Sequence, residues 1–382
     1  MFYKRIRFCT LYQLYYNIFI ISIPITNFSD HPKVRIFLYT ESYISINTSR
    51  KACEYTEKDA DKMTEFTQNH SSYTDGGKAI LDYSSPLDYK ALMNTLQCFS
   101  DRYPFTQITY MGTSILGRGI PMVTLGSGGA KCRSVLYVGC HHGMEWITSI
   151  LLLRFINEYC EELKHGRRIY NINIEKMFRS RTIHVIPQLN VDGADIQING
   201  SGECILKDRL ISMNGGEDFT NWQANARGVD LNHNYDAGFY EYKKIEAELG
   251  IDGGCATRFS GEAPESEPEI ASITSLLRFS NEISSVLTLH TQGEEIYCSS
   301  GDVYPPRSRG IARLMSSMTG YKVAMPEGTA CYGGLTDWYI RKMHRPSFTV
   351  ECGKGVNPLP LESYEEIYER LREMLFTLPL LV

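Results

Sequence analysis

Ser134-Val135-Leu136-Tyr137-Val138-Gly139-Cys140-His141-His142-Gly143-Met144-Glu145-Trp146 is the stretch from which the fold is read. Ser134–Gly139 is a short, continuous apolar run of the kind that fills a buried strand. Trp146 to Leu163 then reads as a long helix with an apolar face. Strand, polar turn and helix in that order make an α/β unit. The turn carries His142 and Glu145. Residues three apart can share one helical turn, so an imidazole and a carboxylate here can reach one divalent cation.

The same alternation continues on both sides. Asp88 or Ser85 can cap a helix from Tyr89 to Tyr103. Phe105 to Gly112 and Ile120 to Gly126 read as strands around the turn Leu116-Gly117-Arg118-Gly119. Thr182–Pro187, Ser285–Leu289 and Ser347–Val350 are further buried-type strands. Helices are expected over Pro264–Phe279, Ser308–Gly320 and Leu361–Phe376. The pattern predicts an α/β sandwich, a mostly parallel or mixed sheet covered on both faces. Sites in such folds gather beyond the C-terminal ends of the strands. His142, His290 and Glu351 all stand at or just beyond such ends.

The chain has 382 residues, 43% of them hydrophobic and 22% charged, and a net charge of -5. No basic footprint suggests nucleic acid. The 11 cysteines are scattered singly without a C-x-x-C pair, which favours free thiols over a disulfide framework. Lys4, Arg5 and Arg7 precede an apolar run from Phe8 to Ile25 that is broken by Gln13, Tyr15, Tyr16 and Asn17. We expect residues 1–62 to be a leader or an over-extended N-terminus, 63–84 a lead-in, and 85–382 one catalytic domain. A cytoplasmic location is favoured, with secretion or membrane tethering through residues 1–28 as the alternative.

Two ligands do not make a catalytic metal site, which needs three protein ligands and an open position. His290, ending the strand run in Leu289-His290-Thr291-Gln292, is the natural third. His141 competes with His142, but the three-residue pair straddles the turn better. Asp230 and Asp192 are candidates to orient the imidazoles. Glu351 ends the last strand run and would suit a general base toward a metal-activated water.

These segments resemble the zinc carboxypeptidase family, the funnelin-type metallopeptidases. The resemblance rests on five ordered strings: His142-Gly143-Met144-Glu145-Trp146, Gly228-Val229-Asp230-Leu231-Asn232-His233-Asn234, Leu289-His290, Gly333-Gly334-Leu335-Thr336-Asp337-Trp338, and Phe348-Thr349-Val350-Glu351. It implies an α/β/α sandwich around a mixed, mainly parallel eight-stranded sheet. It also implies one zinc held by His142, Glu145 and His290, with Glu351 as the catalytic glutamate. Asn232 would hold the substrate's terminal carboxylate, and Thr336 falls among the substrate-binding positions.

The chain departs from the family's exopeptidases at several points. His233 stands where an arginine would pair with the terminal carboxylate. Gln223 stands where a second arginine would stabilise the oxyanion, with Arg227 close by as a substitute. Thr329 falls at the spacing of the family's mobile tyrosine, making Tyr332 an offset analogue. The segments Trp222–Asn234 and His290–Tyr297 look most like a bacterial branch, the γ-D-glutamyl-diaminopimelate peptidases. That branch implies a peptide or muropeptide substrate. A general carboxypeptidase, or an inactive binding module of the same fold, are the competing readings.

Overall fold

The computed structural model describes residues 85–127, 132–202 and 204–382. The leader and lead-in expected over residues 1–84 lie outside the described residues. Helix α1 spans Tyr89–Arg102 and is capped by Asp88, whose carboxylate accepts from Ala91 N at 2.8 Å. Strands β1 (Gln107–Thr113) and β2 (Gly119–Leu125) form a hairpin. Strand β3 is Ser134–Val138, buried throughout, and helix α2 is Ile147–Lys164. After a two-stranded ribbon come α3 (Ile174–Ser180), β4 (Thr182–Ile186), α4 (Val191–Asn199) and α5 (Lys207–Asn214). Then follow α6 (Phe239–Glu248), α7 (Pro268–Phe279), β5 (Ile283–His290) and β6 (Glu295–Tyr297). The chain closes with α8 (Ser308–Thr319), β7 (Lys322–Val323), α9 (Leu335–Met343), β8 (Ser347–Glu351) and α10 (Tyr364–Leu381).

The eight strands make one sheet in the order β1-β2-β4-β3-β5-β8-β6-β7. β4, β3, β5 and β8 run parallel through its centre, and β6 pairs with β7 in parallel. The pairings β1–β2, β2–β4 and β8–β6 are antiparallel. The expected mixed, mainly parallel eight-stranded sheet is therefore present.

Register separates the two faces. Tyr137, Leu287 and Phe348 are neighbours across three strands. Their face meets α2 and α10: Tyr137 packs on Phe155 at 5.6 Å, and its hydroxyl donates to Leu375 O at 2.8 Å. Val138, Thr288 and Thr349 form the neighbouring row, which points to the opposite face because strand side chains alternate. There Thr349 Oγ1 donates to Thr336 Oγ1 of α9 at 2.9 Å. Helices on both faces make the three-layer sandwich, and the second face carries the candidate site.

Several boundaries differ from expectation. The helix expected from Pro264 starts only at Pro268, whose fixed φ suits a first helical position. Upstream, Glu265 sits at φ 58° and bonds the Trp338 indole and Arg278. The closing helix runs on to Leu381 rather than stopping at Phe376. All nine described cysteines are free thiols. No described helix is long and apolar enough to cross a membrane.

Candidate metal centre and active site

Three parallel strands, β3, β5 and β8, deliver the key residues to one edge of the sheet. β3 ends at Val138, and the chain then turns through Cys140-His141-His142 into a single 3₁₀ turn, Gly143–Glu145. The turn is possible because Gly143 has no side chain. A Cβ there would lie 2.4 Å from Gly193 O and 3.0 Å from Trp222 O. Gly143 N donates instead to Gln223 O at 2.9 Å. β5 ends on His290 itself, and β8 ends on Glu351, its register partner.

His142 Nδ1 lies 2.9 Å from Glu145 Oε1, and His290 Nδ1 lies 3.1 Å from Glu145 Oε2. The two Nδ1 atoms are 3.3 Å apart. All three residues are buried, and their ligand atoms fall within 4.8 Å of one another. Two ring nitrogens and a carboxylate aimed at one point form the N/O donor set that zinc accepts. The residues therefore fit a metal ion, with His142 and His290 both presenting Nδ1.

The surroundings orient the donors. His142 Nε2 is 3.2 Å from Asp230 Oδ1, which also accepts from Asn232 N at 3.1 Å. Asp230 Oδ2 accepts from Gln223 Nε2 at 2.9 Å. Of the two expected orienting aspartates, only Asp230 takes that role. Asp192 instead accepts from Leu116 N at 2.8 Å and faces Arg118. His141 is engaged elsewhere: its Nε2 meets Tyr235 Oη at 3.0 Å and its Nδ1 meets Thr288 Oγ1 at 3.2 Å. One contributor escaped the sequence reading. Asn357 Nδ2 donates to Thr291 O at 2.8 Å and reaches Glu145 Oε1 at 3.5 Å.

Electrostatics follow from this packing. Burial disfavours charge on His142, but Glu145 and Asp230 outweigh it and raise its pKa. Burial likewise opposes charge on Glu145, yet His142 and His290 hold it down to about 2. Glu351 is partly buried. Desolvation first and the Glu145 charge second push it up to about 8. A dication beside it acts the other way and favours the carboxylate.

The expected substrate-binding residues divide. Asn232 Oδ1 accepts from Leu335 N at 3.2 Å, while its Nδ2 bonds nothing among the described residues. Thr336 is joined to Thr349, two residues before Glu351 on the same face. Gln223 spends its amide on Asp230. Arg227 turns to Glu267 at 3.3 Å, and no hydrogen bond or ion pair joins it to the metal trio. His233 departs most from expectation. It is buried, stacked on Tyr242 with centroids 3.6 Å apart, and bonded through Nδ1 to Tyr332 O at 2.8 Å. Burial keeps it neutral by lowering its pKa, so it is no substitute for an arginine. Tyr332 lays its ring against Gly238, and its carbonyl is taken by His233. Its neighbour Gly333, at φ 70°, crosses His233 so closely that a Cβ would come within 2.7 Å of the His233 carbonyl.

The sequence pattern of the zinc carboxypeptidase family matches residues 92–370. This chain belongs to that family. Membership makes it a zinc metallopeptidase, a hydrolase of peptide bonds. It is similar to the gamma-D-glutamyl-L-diamino acid endopeptidase 1 of Lysinibacillus sphaericus, with 33% identity over 74% of this chain and 69% of the relative. It is also similar to the uncharacterized protein YqgT of Bacillus subtilis, at 32% identity over 74% of each chain. Among solved structures, thrombin-activatable fibrinolysis inhibitor shares the fold with a TM-score of 0.60. That match has 17% identity and covers 83% of this chain and 78% of the other.

Proposed function

We propose that this zinc carboxypeptidase-family protein hydrolyses the γ-D-glutamyl–diamino acid bond of peptidoglycan stem peptides. His142, Glu145 and His290 would hold the zinc. When bound, zinc supplies Lewis acidity for amide hydrolysis. Glu351, beside His290 in register, takes the proton from the attacking water and passes it to the departing amine nitrogen. Asp230 keeps His142 in the tautomer that leaves Nδ1 free as a donor. Asn232 offers its amide to a substrate carbonyl or carboxylate.

The observation that carries the substrate assignment is the inward turn of His233. A peptidase that removes C-terminal residues gains most from a permanent cation facing the terminal carboxylate. Here the residue after Asn232 is neutral, stacked and bonded to main chain, which supports a substrate anchored elsewhere. The similar Lysinibacillus sphaericus protein is a γ-D-glutamyl-L-diamino acid endopeptidase, which supports the same bond. The test is a panel on zinc-loaded protein: L-Ala-γ-D-Glu-diaminopimelate against a blocked dipeptide with a free C-terminus. Cleavage of the first is expected. Cleavage of only the second would replace this assignment with a general carboxypeptidase.

A further inference from the structure

Asn357 stands in the loop that follows β8, yet its side chain meets the chain just beyond β5 and β3. Thr291, the residue after His290, donates through Oγ1 to Asn357 Oδ1 at 2.7 Å, and Asn357 Nδ2 donates to Thr291 O at 2.8 Å. A main-chain carbonyl can only accept, so the amide nitrogen must face it and the side chain has one orientation. That leaves the second hydrogen of Nδ2 for Glu145 Oε1, 3.5 Å away. The main chain repeats the tie. Cys352 N donates to His290 O at 2.7 Å, and Gly293 N to Gly353 O at 2.9 Å. The segment after Glu351 is thus laced to the segment after His290, and Asn357 extends that lacing to Glu145.

Counting donors shows why this third contact matters. Among the described residues, the Glu145 carboxylate meets His142 Nδ1, His290 Nδ1 and Asn357 Nδ2. The first two are the nitrogens that face the metal position. Asp230 takes the N–H of His142 at Nε2, which leaves Nδ1 with a lone pair. One ring nitrogen cannot donate a proton and ligate a cation at once. With both imidazoles committed to a metal, Asn357 is the donor that Glu145 retains among the described residues. Glu145 is only 3% exposed, so water has little access to it. A buried carboxylate oxygen without a donor is costly, and ligating carboxylates are in turn hydrogen-bonded by the residues that orient them.

We propose that Asn357 is a positioning residue of the metal centre. It aims the Glu145 carboxylate at the point faced by His142 and His290 and, through Thr291, couples that carboxylate to the strand end that carries His290. The proposal rests on the ligand trio in the function proposed above and is independent of the substrate assigned there. Because Asn357 acts through Glu145, its loss is read in the metal before it is read in turnover.

The test uses the full-length protein, stripped of metal and titrated with zinc against a chromogenic chelator. Asn357→Ala and Asn357→Leu, the second of similar size but without a donor, should each weaken zinc binding roughly 10-fold. Thr291→Val keeps the amide and the Thr291 carbonyl but removes one of the two bonds that hold them together, and should weaken it roughly 3-fold. The visible absorption bands of the cobalt-substituted Asn357 variants should shift from those of wild type, because a reoriented carboxylate changes the ligand field. A role in loop packing alone would lower the unfolding midpoint and leave affinity and spectrum as they are. That result would overturn the proposal and leave the trio standing. Where the Asn357 variants fail to fold, Thr291→Val decides: wild-type affinity and spectrum there overturn the proposal. Glu145→Ala is the control for the trio. Zinc held by that variant as tightly as by wild type would overturn the trio, and the role of Asn357 with it.

Discussion

His142 and Asp230 are joined by an Nε2···Oδ1 contact of 3.2 Å that spans 88 residues of sequence. This contact decides which nitrogen of His142 is left for a metal. Because Asp230 occupies Nε2, the lone pair at Nδ1 faces Glu145 and His290. Asp230→Asn keeps the size but weakens the charge-assisted bond. Zinc affinity should fall roughly 10- to 100-fold, as read by competition with a chromogenic chelator. An unchanged affinity would show that Asp230 does not tune the ligand.

Glu351→Gln separates proton transfer from metal holding. The amide keeps the shape and hydrogen bonding of the strand end but cannot take a proton. Zinc content should stay at one per chain while turnover falls by roughly 10²- to 10⁴-fold. Parallel metal analysis and steady-state kinetics read both. Loss of zinc along with activity would mean that Glu351 acts as a ligand instead.

His233→Ala tests the inward turn of that side chain. Removing a ring stacked at 3.6 Å on Tyr242 leaves a void. It should cost about 1–3 kcal/mol of stability, with KM changed less than threefold. Urea unfolding and kinetics on the γ-glutamyl substrate provide the two readouts. A large rise in KM at unchanged stability would place His233 against substrate.

Glu269 provides a pH signature away from the metal. It is buried, accepts from Ile115 N at 3.3 Å and faces Asn225. Burial first, and then Asp192 and Glu267, push its pKa up from 4.5 to about 7. A carboxyl raised in the folded state binds its proton more tightly there than when unfolded. Its contribution is complete below pH 4.5 and is lost as pH rises through about 7. One proton sets a slope of at most about 1.4 kcal/mol per pH unit. Urea unfolding of zinc-saturated protein at pH 5.5 and 8 should show Glu269→Gln losing less stability over that interval than wild type. Parallel losses in the two proteins would contradict the assignment.

How far the sequence reached can be judged element by element. Buried-type runs such as Ser134–Val138 and Ser285–Leu289 declare themselves, because a strand buried on both faces shows no polar alternation; the second extends in the structure to Ile283–His290. The short strands Glu295–Tyr297 and Lys322–Val323 did not declare themselves, being only three and two residues long, too short to show a period. Helix Val191–Asn199 was also missed. Its first turn holds Asp192 and Gly193, and its cap is the Asn190 side chain, which accepts from Gly193 N. The metal trio was legible because strand ends and the three-residue spacing are local features. The roles of His233 and Asn357 were not. They depend on Tyr242 from a helix that the sequence did not announce, and on a loop that meets Glu145 from 212 residues away.

The central claim is one zinc at His142, Glu145 and His290. Crystals of the zinc-loaded protein, with anomalous data collected on both sides of the zinc edge, test it directly. The account predicts one strong peak per chain, about 2.0–2.2 Å from His142 Nδ1, His290 Nδ1 and a Glu145 oxygen, with His141 outside the coordination sphere. A peak held by His141, or no peak within reach of these three residues, would contradict it.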